Sequence, residues 1–264
     1  LDFMRSFGFV AAGLIKYRGS HCSAVAGRLG TEMCKEPKTK LLRLYPPTSD
    51  GPTVPQETQT GDSEILSCTV KALKDGHIVA VPTDTIYGLA CLAQNSEAVK
   101  KIYEVKERNG QKPLAICVGE ILDIYKYCKV KVKEDLLRDL LPGPVTLVFE
   151  RSEKLNTNLN PFTSLVGVRI PDHAFMRRLC QMCGEPLALT SANISSNTST
   201  VEVHVTCAAF DKLNMAVFLL KEFQELWSKL AVVVDGGPIG DQTRQGSTVI
   251  DLSILGKYRV IRPG

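Results

Sequence analysis

Short β-branched runs alternate with stretches of helical period along most of this chain, and that alternation admits few architectures. The strand candidates are His77–Val81, Leu114–Val118, Val145–Phe149, Val166–Ile170, Leu187–Thr190, Leu230–Val234, Thr248–Leu252 and Arg259–Ile261. Between them, Glu64–Lys74 places Ile65, Leu66, Thr69, Val70 and Leu73 on one helical face. Ser96 is set to cap a helix with the stripe Ala98, Ile102 and Val105, which Asn109-Gly110 stops. Helix patterns recur over Ile121–Cys128 and Glu134–Leu141, and Asp172 is set to cap a helix bearing Phe175, Leu179 and Met182. This mixed order predicts an α/β domain built on one sizeable sheet covered by helices.

The stretch Pro46–Ser63 is rich in Pro, Thr, Gly and Gln with almost nothing to bury, so it reads as a linker. The folded domain is expected over residues 62–264, after an N-terminal segment over residues 1–61. That segment carries Arg5, Lys16, Arg18 and Arg28 with no acid between Phe3 and Thr31, a composition shared by mitochondrial transit peptides and disordered tails. The chain begins at Leu1 rather than Met, so its true start is expected upstream. No apolar run reaches 18 residues, which leaves no candidate membrane-spanning helix. A net charge of +4 is too small for a nucleic-acid coat or polybasic anchor, yet compatible with one pocket for anions. The nine cysteines lie mostly within apolar runs, and the pair Cys180 and Cys183 has no partner pair at zinc spacing. They read as buried, reduced thiols in a reducing compartment.

The familiar catalytic signatures are missing: no P-loop, no strand-linked G-x-G-x-x-G, no H-E-x-x-H and no G-x-S-x-G elbow. Four scattered histidines suggest no metal cage, and no metal-ligating residues are assigned. What recurs is an apolar strand running into small hydroxyl or amide residues. Val79-Ala80-Val81 leads to Pro82-Thr83-Asp84-Thr85, Leu187-Ala188-Leu189 leads to Thr190-Ser191-Ala192-Asn193, and Gly246-Ser247-Thr248 opens Val249-Ile250-Asp251. Strand ends of α/β sheets gather around a ligand crevice; equally, Ser and Thr begin turns for purely local reasons. Lys106, Arg108 and Lys112 cluster where a helix ends and a glycine turn begins, a place that suits a triphosphate or simply a solvated helix C-terminus. Arg169 stands between Val168 and Ile170 in an apolar strand, so its permanent charge needs an acid, from the protein or from a ligand.

Taken in order, Pro82-Thr83-Asp84-Thr85-Ile86-Tyr87-Gly88-Leu89, Lys106-x-Arg108, Pro142-Gly143-Pro144-Val145-Thr146, Val168-Arg169-Ile170-Pro171, Thr190-Ser191-Ala192-Asn193, Ser247-Thr248-Val249 and Arg262-Pro263-Gly264 resemble the YrdC-type threonylcarbamoyl-AMP synthases, the single-domain eukaryotic members in particular. The resemblance runs from Ile65 to Gly264. It implies a twisted mixed sheet with a concave, positively charged groove, and a nucleotidyltransferase that converts L-threonine, bicarbonate and ATP to L-threonylcarbamoyl-AMP, pyrophosphate and water. It also implies a magnesium ion with ATP, and a separate tRNA threonylcarbamoyl transferase complex that consumes the product at adenosine 37. The implied address is cytoplasmic, with a mitochondrial share. By the same resemblance, Thr85, Cys117, Arg169, Ser191 and Ser247 bind threonine. Lys106 holds bicarbonate or the carbamate made from it, and it and Arg108 are the catalytic pair. Arg108, Lys112, Asn193 and Arg262 hold ATP. A non-catalytic module that binds RNA weakly through the same groove is the alternative, although few aromatics accompany the Lys106–Lys112 cations.

Two departures from the family pattern stand out. Residues 203–220, from His204-Val205-Thr206-Cys207 to Phe218-Leu219-Leu220, read as an insertion or as an artefact of the gene's exon assignment. The chain also stops at Gly264, where Arg262 is expected to be weakly anchored.

Overall fold

A computed structural model describes residues 39–44, 57–106, 112–192, 226–237, 239 and 246–264, all within the compact unit Glu36–Gly264. Among these residues are eleven strands: β1 (Lys40–Arg43), β2 (Val79–Val81), β3 (Gly88–Leu92), β4 (Ala115–Cys117), β5 (Cys128–Lys129), β6 (Val145–Arg151), β7 (Leu165–Arg169), β8 (Leu187–Ser191), β9 (Val232–Asp235), β10 (Thr248–Asp251) and β11 (Arg259–Arg262). They form one mixed sheet in the order β1-β9-β2-β3-β8-β4-β7-β6-β10-β11, with β5 also on β6. The helices are α1 (Glu57–Lys74), α2 (Ser96–Val105), α3 (Ile121–Tyr127), α4 (Glu134–Leu140) and α5 (Ala174–Cys183). This is the mixed α/β architecture expected from the alternation of runs.

Both faces of the sheet carry a core. Ile116, Leu147, Phe149, Val166 and Val168 point to one side with Ile102 and Val105 of α2. Cys117, Leu187 and Val232 point to the other, under Leu66, Leu73, Phe175 and Leu179 of α1 and α5. The period-2 alternation of β6 and β7 follows from this: one set of alternate residues meets the first core and the other set faces away from it.

Several local expectations are corrected. The sheet begins before residue 62, because Lys40–Arg43 pairs in parallel with β9, from Lys40↔Val232 to Arg43↔Asp235. Likewise α1 starts at Glu57, inside the stretch read as linker. Strand β3 went unread because all five of its residues are buried, leaving no alternation to see. Helix α2 is capped by Asn95, whose side chain accepts from the Ala98 N–H, and not by Ser96. The Ser96 hydroxyl instead donates to Asn156 Oδ1 and accepts from Asn158 Nδ2, tying α2 to the loop after β6. At α5 the N-cap is His173 rather than Asp172, and Asp172 accepts from Arg177 Nη1 at 2.8 Å. Gly184 ends α5 in the left-handed region at φ 71°, a conformation that favours glycine. The six cysteines among the described residues are free, and five of them are buried. Among the described residues no helix is long and apolar enough to cross a membrane.

Candidate active site

One cleft of about 380 Å³ opens on the α1/α5 side of the sheet, beyond those helices, over β8, β4, β7, β6 and β10. Alternate residues face it. Thr146 and Val148 come from β6, Leu165, Gly167 and Arg169 from β7, and Ser191 from the end of β8. Their intervening neighbours are the core residues of the opposite face. Thr83, Tyr87, Ser247 and Arg262 complete the walls.

The Thr83–Tyr87 loop is built around one hydroxyl. Thr83 Oγ1 donates to the Ile86 carbonyl at 2.6 Å and accepts from the Thr85 and Ile86 N–H groups at 3.2 Å each. Tyr87 anchors the exit: its hydroxyl donates to Gly237 O and accepts from Gly236 N, both at 2.9 Å. Burial pushes the Tyr87 phenol well above its ordinary pKa, so it stays neutral. The loop places Asp84 and Thr85 against Arg169. Asp84 Oδ1 pairs with Arg169 Nη2, and Asp84 Oδ2 accepts from the Asp172 N–H at 3.0 Å. Arg169 Nη2 also donates to Thr85 Oγ1 at 2.8 Å. The arginine side chain is only 6% exposed, and its Nε is buried without a hydrogen-bond partner. The acid demanded by a charge in an apolar strand is therefore partly a protein residue. Nη2 is spent on Asp84 and Thr85, which leaves Nη1 as the end open to a ligand.

Behind Ser191, Lys106 is fully buried and its ammonium donates to the Ser191 carbonyl at 2.7 Å. Ser247 is buried and hydroxyl-bonded to Thr146 at 2.7 Å. Arg262 is firmly held, contrary to the expectation of weak anchoring. Its Nη2 donates to Ser247 O at 2.8 Å, β11 pairs antiparallel with β10, and the Gly264 N–H bonds Thr248 Oγ1. Gly264 lies so close to the Gly246–Thr248 backbone that a Cβ there would fall 2.3 Å from Gly246 O, which explains glycine after Arg-Pro. Lys112 is exposed beside Pro113, which lines the cleft.

The structure thus brings Thr85, Lys106, Arg169, Ser191, Ser247 and Arg262 to one place. Cys117 is a correction. It is buried under α5, next to Cys180, and does not line the cleft. The strand alternation that turns Ala115 to the cleft also turns Cys117 to that face, but two residues further on, where α5 covers it. Its hydrogen bond to Cys180, with burial, raises the Cys180 pKa well above that of an ordinary thiol, so this pair is packing rather than chemistry. Arg108, Asn193 and residues 203–220 lie outside the described residues.

Two residues of the site escaped the sequence reading. Asp84 sits in a quoted motif, but its partner is 85 positions away. Asn160, buried with φ 51°, binds Leu114 through both N–H and carbonyl and accepts from the Tyr103 hydroxyl. It thereby fixes the entry to β4 directly after Lys112 and Pro113. Only the turn-forming preference of asparagine hinted at it.

Comparison with known proteins shows what the chain is similar to. The Sua5/YciO/YrdC family model, described as telomere recombination, matches residues 71–264. The chain is 51% identical over 259 residues to the threonylcarbamoyl-AMP synthase of Bos taurus, covering 97% of this chain and 87% of that protein. It is 52% identical over 232 residues to the Homo sapiens enzyme of the same name, covering 86% and 76%. Among solved structures it is similar to P. abyssi Sua5 complexed with L-threonine, at a TM-score of 0.64 and 27% identity. That match covers 86% of this chain and 57% of Sua5, so the chain spans just over half of that relative's length.

Proposed function

The chain belongs to the Sua5/YciO/YrdC family, and from that membership and the cleft we infer that it is an L-threonylcarbamoyladenylate synthase. It joins L-threonine, bicarbonate and ATP into L-threonylcarbamoyl-AMP, releasing pyrophosphate and water, and so supplies the threonylcarbamoyl group of modified tRNA.

The observation that carries this reading is Arg169: a guanidinium in the cleft wall, braced through Nη2 by Asp84 and Thr85, with no protein hydrogen bond to Nη1 among the described residues. A carboxylate is the ligand that such a donor accepts best. The α-carboxylate of threonine docks there beside Thr85, with Ser191 and Ser247 around the rest of the amino acid. The amine then faces the wall where Lys106 puts positive charge behind Ser191. There the amine nitrogen bonds to the carbon of bicarbonate, water leaves, and the anionic carbamate is held by the lysine. A carbamate oxygen next attacks the α-phosphorus of ATP, and pyrophosphate departs with the electrons of the broken P–O bond. Arg108, Lys112, Asn193 and Arg262 hold the nucleotide in this scheme. Positioning and charge neutralisation carry the rate, without a covalent enzyme intermediate.

Magnesium enters with ATP. Among the described residues no three His, Cys, Asp or Glu side chains gather as a ligand set, and Asp84 is engaged by Arg169, so no step is assigned to an ion held by the chain. The product passes to a separate transferase that modifies tRNA, and the synthase acts in the cytoplasm with a mitochondrial share.

The test is pyrophosphate release by the purified full chain. Release from ATP that requires both threonine and bicarbonate is the expected result. Salt-sensitive RNA binding without any turnover would replace the synthase with an RNA-binding module.

A further inference from the structure

This inference rests on the synthase reading and concerns how the cleft selects the side chain of its amino acid. Thr146 and Ser247 are both buried polar residues, 6% and 5% exposed, and both line the cleft. Their hydroxyls are hydrogen-bonded to each other at 2.7 Å. Two hydroxyls joined this way use one proton and one lone pair between them. One proton and several lone pairs remain, and both side chains line the cleft. A lone hydroxyl of a ligand, itself both donor and acceptor, satisfies what is left.

The sheet sets the distance from this pair to Arg169. In the antiparallel β6–β7 ladder, Val148 pairs with Gly167 and Leu147 with Val168. One rung further, Thr146 stands across from Arg169, on the same cleft-facing side. Cross-strand neighbours lie about 5 Å apart at Cβ, the scale of one α-amino acid from carboxylate to β-substituent. Gly167, beside both, makes room for the Thr146 side chain: a Cβ there would come within 2.9 Å of Thr146 Cγ2.

We propose that Thr146, paired with Ser247, reads the β-hydroxyl of the amino acid whose carboxylate Arg169 holds, making Thr146 a specificity-determining residue of the synthase. A site built to hydrogen-bond a hydroxyl rejects the analogue without it far more strongly than a hydrophobic slot rejects a missing methyl.

Steady-state pyrophosphate release with a panel of amino acids tests this. For the natural chain, L-2-aminobutyrate, which keeps the methyl and lacks the hydroxyl, is expected to fall on the order of 10⁴-fold below threonine in kcat/KM. Serine, which lacks only the methyl, is expected to fall about 10- to 200-fold. Thr146→Val is expected to raise the KM for threonine about tenfold or more, with a smaller change in kcat, and to narrow the threonine-to-aminobutyrate ratio by a similar factor. Thr146→Ser restores both. Aminobutyrate turning over as well as threonine in the natural chain overturns the proposal without any variant. So does an unchanged ratio in a folded Thr146→Val protein. Absence of threonine-dependent turnover in the natural chain is a different failure, that of the synthase reading itself.

Discussion

Lys106 is the residue whose burial changes what an experiment must control. Its side chain is fully excluded from solvent, yet it carries an ammonium that donates to the Ser191 carbonyl. Burying a cation costs several kcal/mol unless polar groups repay it. A buried lysine beside a ligand cleft is therefore kept for its charge, not for packing. Spacing alone suggests that Lys106→Ala leaves the fold intact; the structure shows that alanine would leave a cavity. Lys106→Met fills much the same volume and removes the charge together with its hydrogen bond to the Ser191 carbonyl. It is expected to lower turnover on the order of a hundredfold, while the unfolding temperature stays the same or rises. Pyrophosphate release beside a thermal melt checks both. Near-normal turnover in a well-folded Lys106→Met protein would remove the lysine from the mechanism. Arg169 shows where sequence was informative at this scale, because a permanent charge between valine and isoleucine is visible without coordinates. Asp84 was not, since nothing in the sequence states that a loop 85 residues earlier returns to that strand.

Among the elements, α5 carries a feature that only packing reveals. His173 occupies its N-cap with no side-chain capping bond, and its Nδ1 is buried without a partner. Burial pulls its pKa below the ordinary histidine value of 6.5, and Arg177 acts in the same direction, while Asp84 and Asp172 oppose them. A protonated imidazole would also face the positive end of the helix. The folded state thus prefers neutral His173 more than the unfolded chain does. Its contribution is complete above pH 6.5 and is lost as pH falls through the depressed folded value. Urea midpoints measured downward from pH 7 should show this loss, and His173→Gln should flatten it within that window. Identical slopes for the two proteins would place the acid sensitivity elsewhere. The elements themselves were largely legible wherever one face met the core and the other did not, as in α2 or β7. They were illegible in two physical situations. Strand β3 is buried on both faces, so Gly88-Leu89-Ala90-Cys91-Leu92 shows no period. Strand β1 is four residues long beside a Pro-rich stretch, and its partner β9 is more than 180 residues away. The cap of α2 was ambiguous for a smaller reason: Asn95 and Ser96 are both good caps, and the loop bearing Asn156 and Asn158 decided between them.

At the scale of the whole molecule, the sheet order separates stability from chemistry. The cleft lies over β8, β4, β7, β6 and β10, whereas β1 and β9 sit at the far end of the sheet. Strand β1 contributes to both cores, since Leu41 packs against one and Leu42 against the other. It also covers the edge of β9, whose Val232, Val233 and Val234 are all buried. Exchanging both leucines for serine removes two half-buried side chains, a loss of about 2 kcal/mol at the usual value per unit of apolar area. For a domain of this size that corresponds to a fall of about 4–8 °C in Tm. Below the transition, kcat and the KM for threonine should match those of the natural chain, because β1 lines no part of the cleft and two strands, β9 and β2, separate it from β3, the nearest strand that does. A double Leu41→Ser, Leu42→Ser protein that melts earlier yet turns over normally is the expected outcome. Lost threonine affinity at a temperature where it remains folded would mean that the two ends of the sheet are coupled. The cleft would then depend on the full width of the sheet, and not only on the strands that line it.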